Sequence, residues 1–212
     1  MSFGIKKVIS FLTARVKRKI ELSKYNDFTI SEYFRRQGAR IGERNRLEVR
    51  SLGAEPHIVS IGNHCTIALN VKFLTHDGAV WVFSEEIPDI QKFGAITIRD
   101  NCFIGIDSIV IGNVIIGPDA IVGAGSVVTK DVPTGTIVAG SPAKKISTIE
   151  EYRKKAVKIW EKQKPQKYFQ GMEKGRPYPP EYIQQIKNRD YQLLKAHLLE
   201  FFPGRRMRFE SV

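Results

Sequence analysis

A chain of 212 residues with 42% hydrophobic content has room for one main domain with extensions, and global disorder is excluded. The net charge of +12 asks for an anionic partner. No zinc-finger or RNP signature supports nucleic acid as that partner, so a membrane surface or a phosphorylated small molecule is expected. Two cysteines, Cys65 and Cys102, make no disulfide framework and point to a reducing, cytoplasmic compartment, and no run of 18 apolar residues predicts a membrane span.

The chain opens with "MSFGIKKVISFLTARVKRKI". Ile5, Ile9, Leu12 and Val16 fall on one helical face, with Lys6, Lys17 and Arg18 outside it, and no small-residue cleavage site follows. Residues 1–40 therefore read as an N-terminal helical segment. It docks on the protein, or it lies on the anionic inner face of a membrane.

From residue 98 the chain divides into sixes: "IRDNCF", "IGIDSI", "VIGNVI", "IGPDAI", "VGAGSV", "VTKDVP". The first position is β-branched every time, from Ile98 to Val128. The fifth is small throughout, from Cys102 to Val132. The fourth is Asn, Asp or Gly, the residue types that best tolerate left-handed backbone. A hexad of two strand residues and a turn builds a parallel β-helix, three hexads to a coil, with the first-position aliphatics stacked inside. The same rhythm starts at Ile61, Ile67 and Phe73, and a fainter trace starts at Ile41 and Leu47. Residues 77–95 break it and read as an excursion loop, which in a regular solenoid marks function.

After Pro133, glycine and proline close the last coil. "TIEEYRKKAVKIWEKQ" has helical spacing of Ile149, Tyr152, Ala156, Ile159 and Trp160. A linker and a second helix follow, ended by "PG" and a basic tail. The expected organisation is a helical segment 1–40, an all-β core 41–146 with its loop 77–95, and a C-terminal helical extension 147–212.

The candidates for chemistry are few. Both cysteines occupy small interior positions and read as packing. His64 reads as a turn residue, and His57 and His197 carry no pattern. His76 also sits at a fourth position, but it is the last residue before the loop, where its ring can face a cleft. Imidazole titrates near neutral pH, which suits a general base. Asp77, Glu85 and Glu86 follow it as candidates to orient the ring, and Trp81 as a surface for an acceptor. The stretch "VGAGSVVTKDV" offers bare backbone to a ligand. Lys130, Lys144 and Lys145 place cations near it, as a phosphate-bearing cofactor would need. His57, His64 and His76 are not spaced as zinc ligands, so no metal is expected.

The stretch from "IRDNCFIGIDSIVIG" to "AGSPAKKI" resembles the signature end of the left-handed β-helix acyltransferases. This hexapeptide-repeat family includes maltose, galactoside, xenobiotic and surface-polysaccharide O-acetyltransferases. The resemblance covers residues 41–146. It implies left-handed crossovers, against the usual preference. It also implies a homotrimer, with acetyl-CoA in the groove between neighbouring β-helices and His76 as general base. Cofactor contacts then fall to Ala124, Thr129, Lys130 and Lys144, with Gly105 and Ile106 beside the pantetheine arm, and Asn63 lies on the acceptor side. Sugar-specific members carry "HP" where this chain has "HDG". "THDG…W" is closer to acetyltransferases of capsule and lipopolysaccharide gene clusters. The expected activity is acetyl-CoA-dependent O-acetylation of a saccharide, phosphate-linked in keeping with the basic surface. N-acetylation of an amino sugar is the alternative, and a non-catalytic scaffold is the rival outside enzymology.

Overall fold

The computed structural model describes residues 13 and 16–163. The Ile5–Ile9–Leu12 face, the second C-terminal helix and the basic tail lie outside the described residues. Contacts divide the chain into two units, Met1–Tyr152 and Arg153–Val212.

Residues 16–23 are helical, and a short helix, Ser31–Arg36, follows. Ile30 and Phe34 are fully buried and join the core of the first coil. Fully burying side chains of this size contributes about 1.5–3 kcal/mol each. Arg35 fastens this helix to the coil, donating to the carbonyls of Ile41 at 2.8 Å and Gly42 at 2.6 Å.

The core is a parallel β-helix of three sheets. The first holds β1 (Arg40–Ile41), β3 (Val59–Ile61), β6 (Ile96–Ile98) and β9 (Val114–Ile116). The second holds β2 (Arg46–Leu47), β4 (Thr66–Ile67), β7 (Phe103–Ile104), β10 (Ile121–Val122), β12 (Thr136–Ala139) and β13 (Lys144–Thr148). The third holds β5 (Lys72–Leu74), β8 (Ile109–Ile111) and β11 (Val127–Val128). All pairings are parallel except β12 with β13, which turns back and ends the stack.

Register explains the rhythm and its break. Ile98 pairs with Ile116, 18 residues on, as three hexads require. Val59 pairs with Ile96, 37 residues on. The 19 additional residues match the excursion 77–95 read from the sequence. The first coil is also longer: Arg46 pairs with Thr66, 20 residues on. Its excess lies at the corner before β3, where Pro56–Ile58 form a 3-10 turn.

First-position aliphatics point inward: Ile61, Ile67, Phe73, Ile98, Ile104, Val110, Ile116, Val122 and Val128 are all buried. The corner residues His64, Asn70, Asn101, Asp107, Asn113 and Asp119 take φ between 52° and 64°. Asn and Asp stabilise this conformation with short polar side chains. Two expected corner residues differ. Asp131 does not take positive φ; its Oδ1 instead accepts from the Ile115 amide at 2.7 Å. His76 does not take it either, and bridges antiparallel to Phe93.

The helix Ile149–Gln163 confirms the spacing seen after Thr148. Thr148 and Glu151 form a reciprocal cap: the Glu151 amide donates to Thr148 Oγ1 at 3.2 Å, and the Thr148 amide donates to Glu151 Oε2 at 3.0 Å. Among the described residues no helix is long and apolar enough to cross a membrane.

Candidate active site

The loop is pinned where it leaves the coil. The Gly94 amide donates to Thr75 O at 2.8 Å, and the Asp77 amide donates to Lys92 O at 2.9 Å. Gly94 stacks on Gly112 so closely that a Cβ on Gly94 would lie 2.7 Å from the Gly112 carbonyl carbon. That close approach is what glycine permits at this corner. Beyond the pinned base, Gly78–Phe83 form a 3-10 helix, capped by Asp77 Oδ1 accepting from the Ala79 amide at 3.0 Å.

Burial alternates residue by residue from Val71 to His76: Val71, Phe73 and Thr75 point in, while Lys72, Leu74 and His76 point out. Strand periodicity therefore delivers the His76 ring to the surface. There it lines a cleft of about 410 Å³ together with Glu55, Trp81, Pro88, Lys92 and Phe93. The Phe93 ring meets it edge-on, centroids 6.5 Å apart.

His76 Nδ1 lies 3.1 Å from Glu55 Oε2. The same oxygen accepts from the buried Thr75 hydroxyl at 2.5 Å. The Thr75 hydroxyl, and after it the His76 ring, hold the Glu55 carboxyl below its usual range. An ionised carboxylate can only accept, so Nδ1 is the protonated nitrogen of the neutral ring and Nε2 carries the lone pair. This places a basic nitrogen on the side of the ring away from Glu55.

Glu55 is the residue that sequence reasoning missed, and it meets the ring where Asp77, Glu85 and Glu86 were expected to. Asp77 Oδ2 pairs instead with Lys92 Nζ at 2.9 Å, and this contact, then the Ala79 amide, keeps its carboxyl low. Glu85 and Glu86 are exposed and do not line the cleft. The signal for Glu55 lay in register. With a 20-residue first coil, position 55 stacks on position 75, beside the histidine.

Trp81 joins His76 in the cleft and is 77% exposed. Asn63 does not join them. It stands at the corner between β3 and β4, where its Oδ1 accepts from the Glu43 amide at 2.8 Å and its Nδ2 donates to Asp100 at 3.3 Å. His64 stands beside it, with Nδ1 2.8 Å from Asn101 Oδ1.

Five of the six expected cofactor residues fall on two ridges flanking the third sheet, and Lys144 stands apart. Gly105 and Ile106 follow β7, and Ala124 follows β10, at one corner. A Cβ on Gly105 would lie 2.5 Å from the Ala124 amide nitrogen, so the backbones touch. Ile106 and Ala124 are exposed. Thr129 and Lys130, also exposed, follow β11 at the corner column of His76, Gly94 and Gly112. Lys144 is exposed on β13 at the end of the second sheet.

Cys65 and Cys102 are buried. The Cys65 thiol is pushed up by its contact with Cys102 and by burial, and donates to Arg99 O at 3.0 Å. A thiol so placed is a poor nucleophile.

Comparison with known proteins agrees with this architecture. The family profile described as bacterial transferase hexapeptide (six repeats) matches residues 95–130. Protein CapG of Staphylococcus aureus is 46% identical over 124 residues, 57% of this chain and 72% of CapG. A 2,3,4,5-tetrahydropyridine-2,6-dicarboxylate N-acetyltransferase of Clostridium perfringens is 44% identical over 62 residues, 29% of this chain and 26% of that enzyme. Among solved structures, a hexapeptide-repeat containing acetyltransferase of Vibrio cholerae superposes with a TM-score of 0.51 at 20% identity, covering 68% of this chain and 93% of that one, a likeness of fold.

Proposed function

The chain belongs to the hexapeptide-repeat family of left-handed β-helix acyltransferases, and from that premise we propose that it moves an acetyl group from acetyl-CoA directly to a sugar hydroxyl. The observation that carries the proposal is the His76–Glu55 contact of 3.1 Å in a cleft walled by the loop. It leaves Nε2 as the acceptor of a proton.

A sugar hydroxyl is a weak nucleophile at neutral pH. His76 Nε2 takes its proton as the oxygen attacks the thioester carbonyl. A C–O bond forms, the C–S bond breaks, and the imidazolium returns its proton to the departing thiolate. General-base help of this kind is worth about 10²–10⁴-fold. Glu55 holds the ring in one orientation and stabilises its charged form. Buried Cys65 and Cys102 favour direct transfer over an acyl-enzyme.

The residues present fit the donor. Exposed Ile106 and Ala124, on coils held close by Gly105, suit a thin pantetheine arm. Exposed Thr129, Lys130 and Lys144 suit its phosphates. The loop's exposed Val82, Phe83 and Ile87 support a neighbouring copy covering them, as in the homotrimer the family resemblance implies. Exposed Lys17 and Lys19 support a basic face for an anionic membrane, whose negatively charged inner leaflet would place the protein on the cytoplasmic side. "HDG" in place of "HP", with Trp81 in the cleft, supports a surface-polysaccharide precursor over a free disaccharide.

A second reading, N-acetylation, is favoured by the N-acetyltransferase relative. An amine needs the same base. One experiment addresses both: CoA release from acetyl-CoA against a panel of sugars, amino sugars and nucleotide sugars, with wild type and His76→Ala. Acceptor-dependent release that falls about 10²–10⁴-fold in the variant supports the base. Equal release in both proteins overturns it, and the best acceptor decides between hydroxyl and amine.

A further inference from the structure

A second cavity runs along the strand Lys72–Leu74 that leads to His76. It is a groove of about 530 Å³ over coils one and two, lined among others by Arg18, Arg50, Lys72, Leu74 and backbone at Gly53. Gly53 precedes Glu55 by two residues, and Leu74 precedes His76 by two. The burial alternation puts Lys72, Leu74 and His76 on one outward face. Four residues of extended chain span about 13 Å, so the groove ends where the base begins.

Its charge is positive and largely uncommitted. Arg18 donates to the carbonyl of Arg50 at 3.3 Å. Among the described residues no carboxylate pairs with Arg18 or Lys72. Arg50 pairs with Asp27 at 2.9 Å. Glu48, the acidic residue of the groove, is neutralised by Arg46 at 2.5 Å and accepts from the Leu69 amide. The donor-side cations, Lys130 and Lys144, lie at the other end of the coil stack.

We propose that this groove binds the phosphate or diphosphate of the acceptor, with Arg18 and Lys72 as its ligands and the attached sugar reaching along Leu74 to His76. The proposal rests on His76 being the base. A span of about 13 Å accommodates a hexose ring joined to a diphosphate, so the groove selects glycosyl phosphates over free sugars. Leu74, 47% exposed, gives the ring an apolar floor between the two charged ends.

The test uses inorganic pyrophosphate titrated into the full chain already saturated with acetyl-CoA. Saturable binding is expected, weakened about tenfold in the Arg18→Gln, Lys72→Gln double variant and unchanged in Lys130→Gln. Acetyl-CoA affinity and the melting temperature should be the same in wild type and the double variant. Displacement of bound pyrophosphate by uridine diphosphate assigns the phosphate to a nucleotide; displacement by phosphatidylglycerol vesicles assigns it to a lipid. Three results overturn the proposal: no saturable binding, equal binding in wild type and the double variant, or binding lost once acetyl-CoA is present. Acetyl-CoA binding is read separately, so the groove and the transferase reading can fail independently.

Discussion

His64 and His76 stand at the fourth position of hexads that begin at Ile61 and Phe73. His64 takes φ 55° and bonds Asn101, which in turn bonds Asp119, in a ladder of corner side chains running down the stack. His76 leaves the left-handed region, bridges to Phe93 across the loop base and meets a carboxylate from the coil before it. One corner repeats, and its histidine Nδ1 meets the matching corner of the next coil. The other is interrupted twice, by the loop and by the 3-10 turn of the first coil. A regular solenoid pairs its corner residues with one another down the stack, so a histidine set against a carboxylate in a cleft arises where regularity fails.

The largest test of this contrast after loss of the base itself is Glu55→Gln. It keeps the shape and removes the charge, and kcat/KM should fall about ten- to a hundredfold. A loss larger than that of His76→Ala would move the base from the histidine to the carboxylate. The matching change at the repeating corner is His64→Val. A β-branched residue in the left-handed region costs about 1–2 kcal/mol, read as a lower Tm with kcat/KM unchanged. His64→Asn should restore the Tm, because Asn tolerates that backbone.

pH sharpens the same comparison. The Glu55 carboxyl is lowered from its ordinary 4.5, first by the Thr75 hydroxyl and then by His76. A carboxyl lowered by folding stabilises fully above its unfolded value, and that stability is lost as pH falls through the folded value. The difference in Tm between wild type and Glu55→Gln should shrink as pH falls below 4.5. A difference that persists undiminished at the acid end of that range would contradict the contact. The smallest effect belongs to Asp77→Asn. Its carboxylate serves Lys92 and the loop cap at the surface, so kcat/KM should change by less than about threefold. A loss approaching that of Glu55→Gln would return Asp77 to the role of orienting group.

The hexad columns made the β-helix legible because each position has one physical requirement: β-branched inside, small beside it, left-handed at the corner. The loop was legible as a break in the rhythm, and the register offset of 37 against 18 leaves 19 residues, as many as 77–95 hold. His76 was legible as the residue before the break. Glu55 was not, because its place depends on the two extra residues of the first coil, where the trace from Leu47 fades into "GAEPHI" and no hexad predicts what stacks on Thr75. Asn63 sits in a regular column instead, where the ladder holds its amide through Glu43 and Asp100.

The most direct measurement is acceptor-dependent CoA release by His64→Asn and His76→Asn, prepared and assayed side by side. Asn fits the corner at 64 and removes the base at 76. The account predicts wild-type turnover in the first and a loss of about 10²–10⁴-fold in the second. Equal turnover in the two variants, or loss in His64→Asn alone, would contradict it.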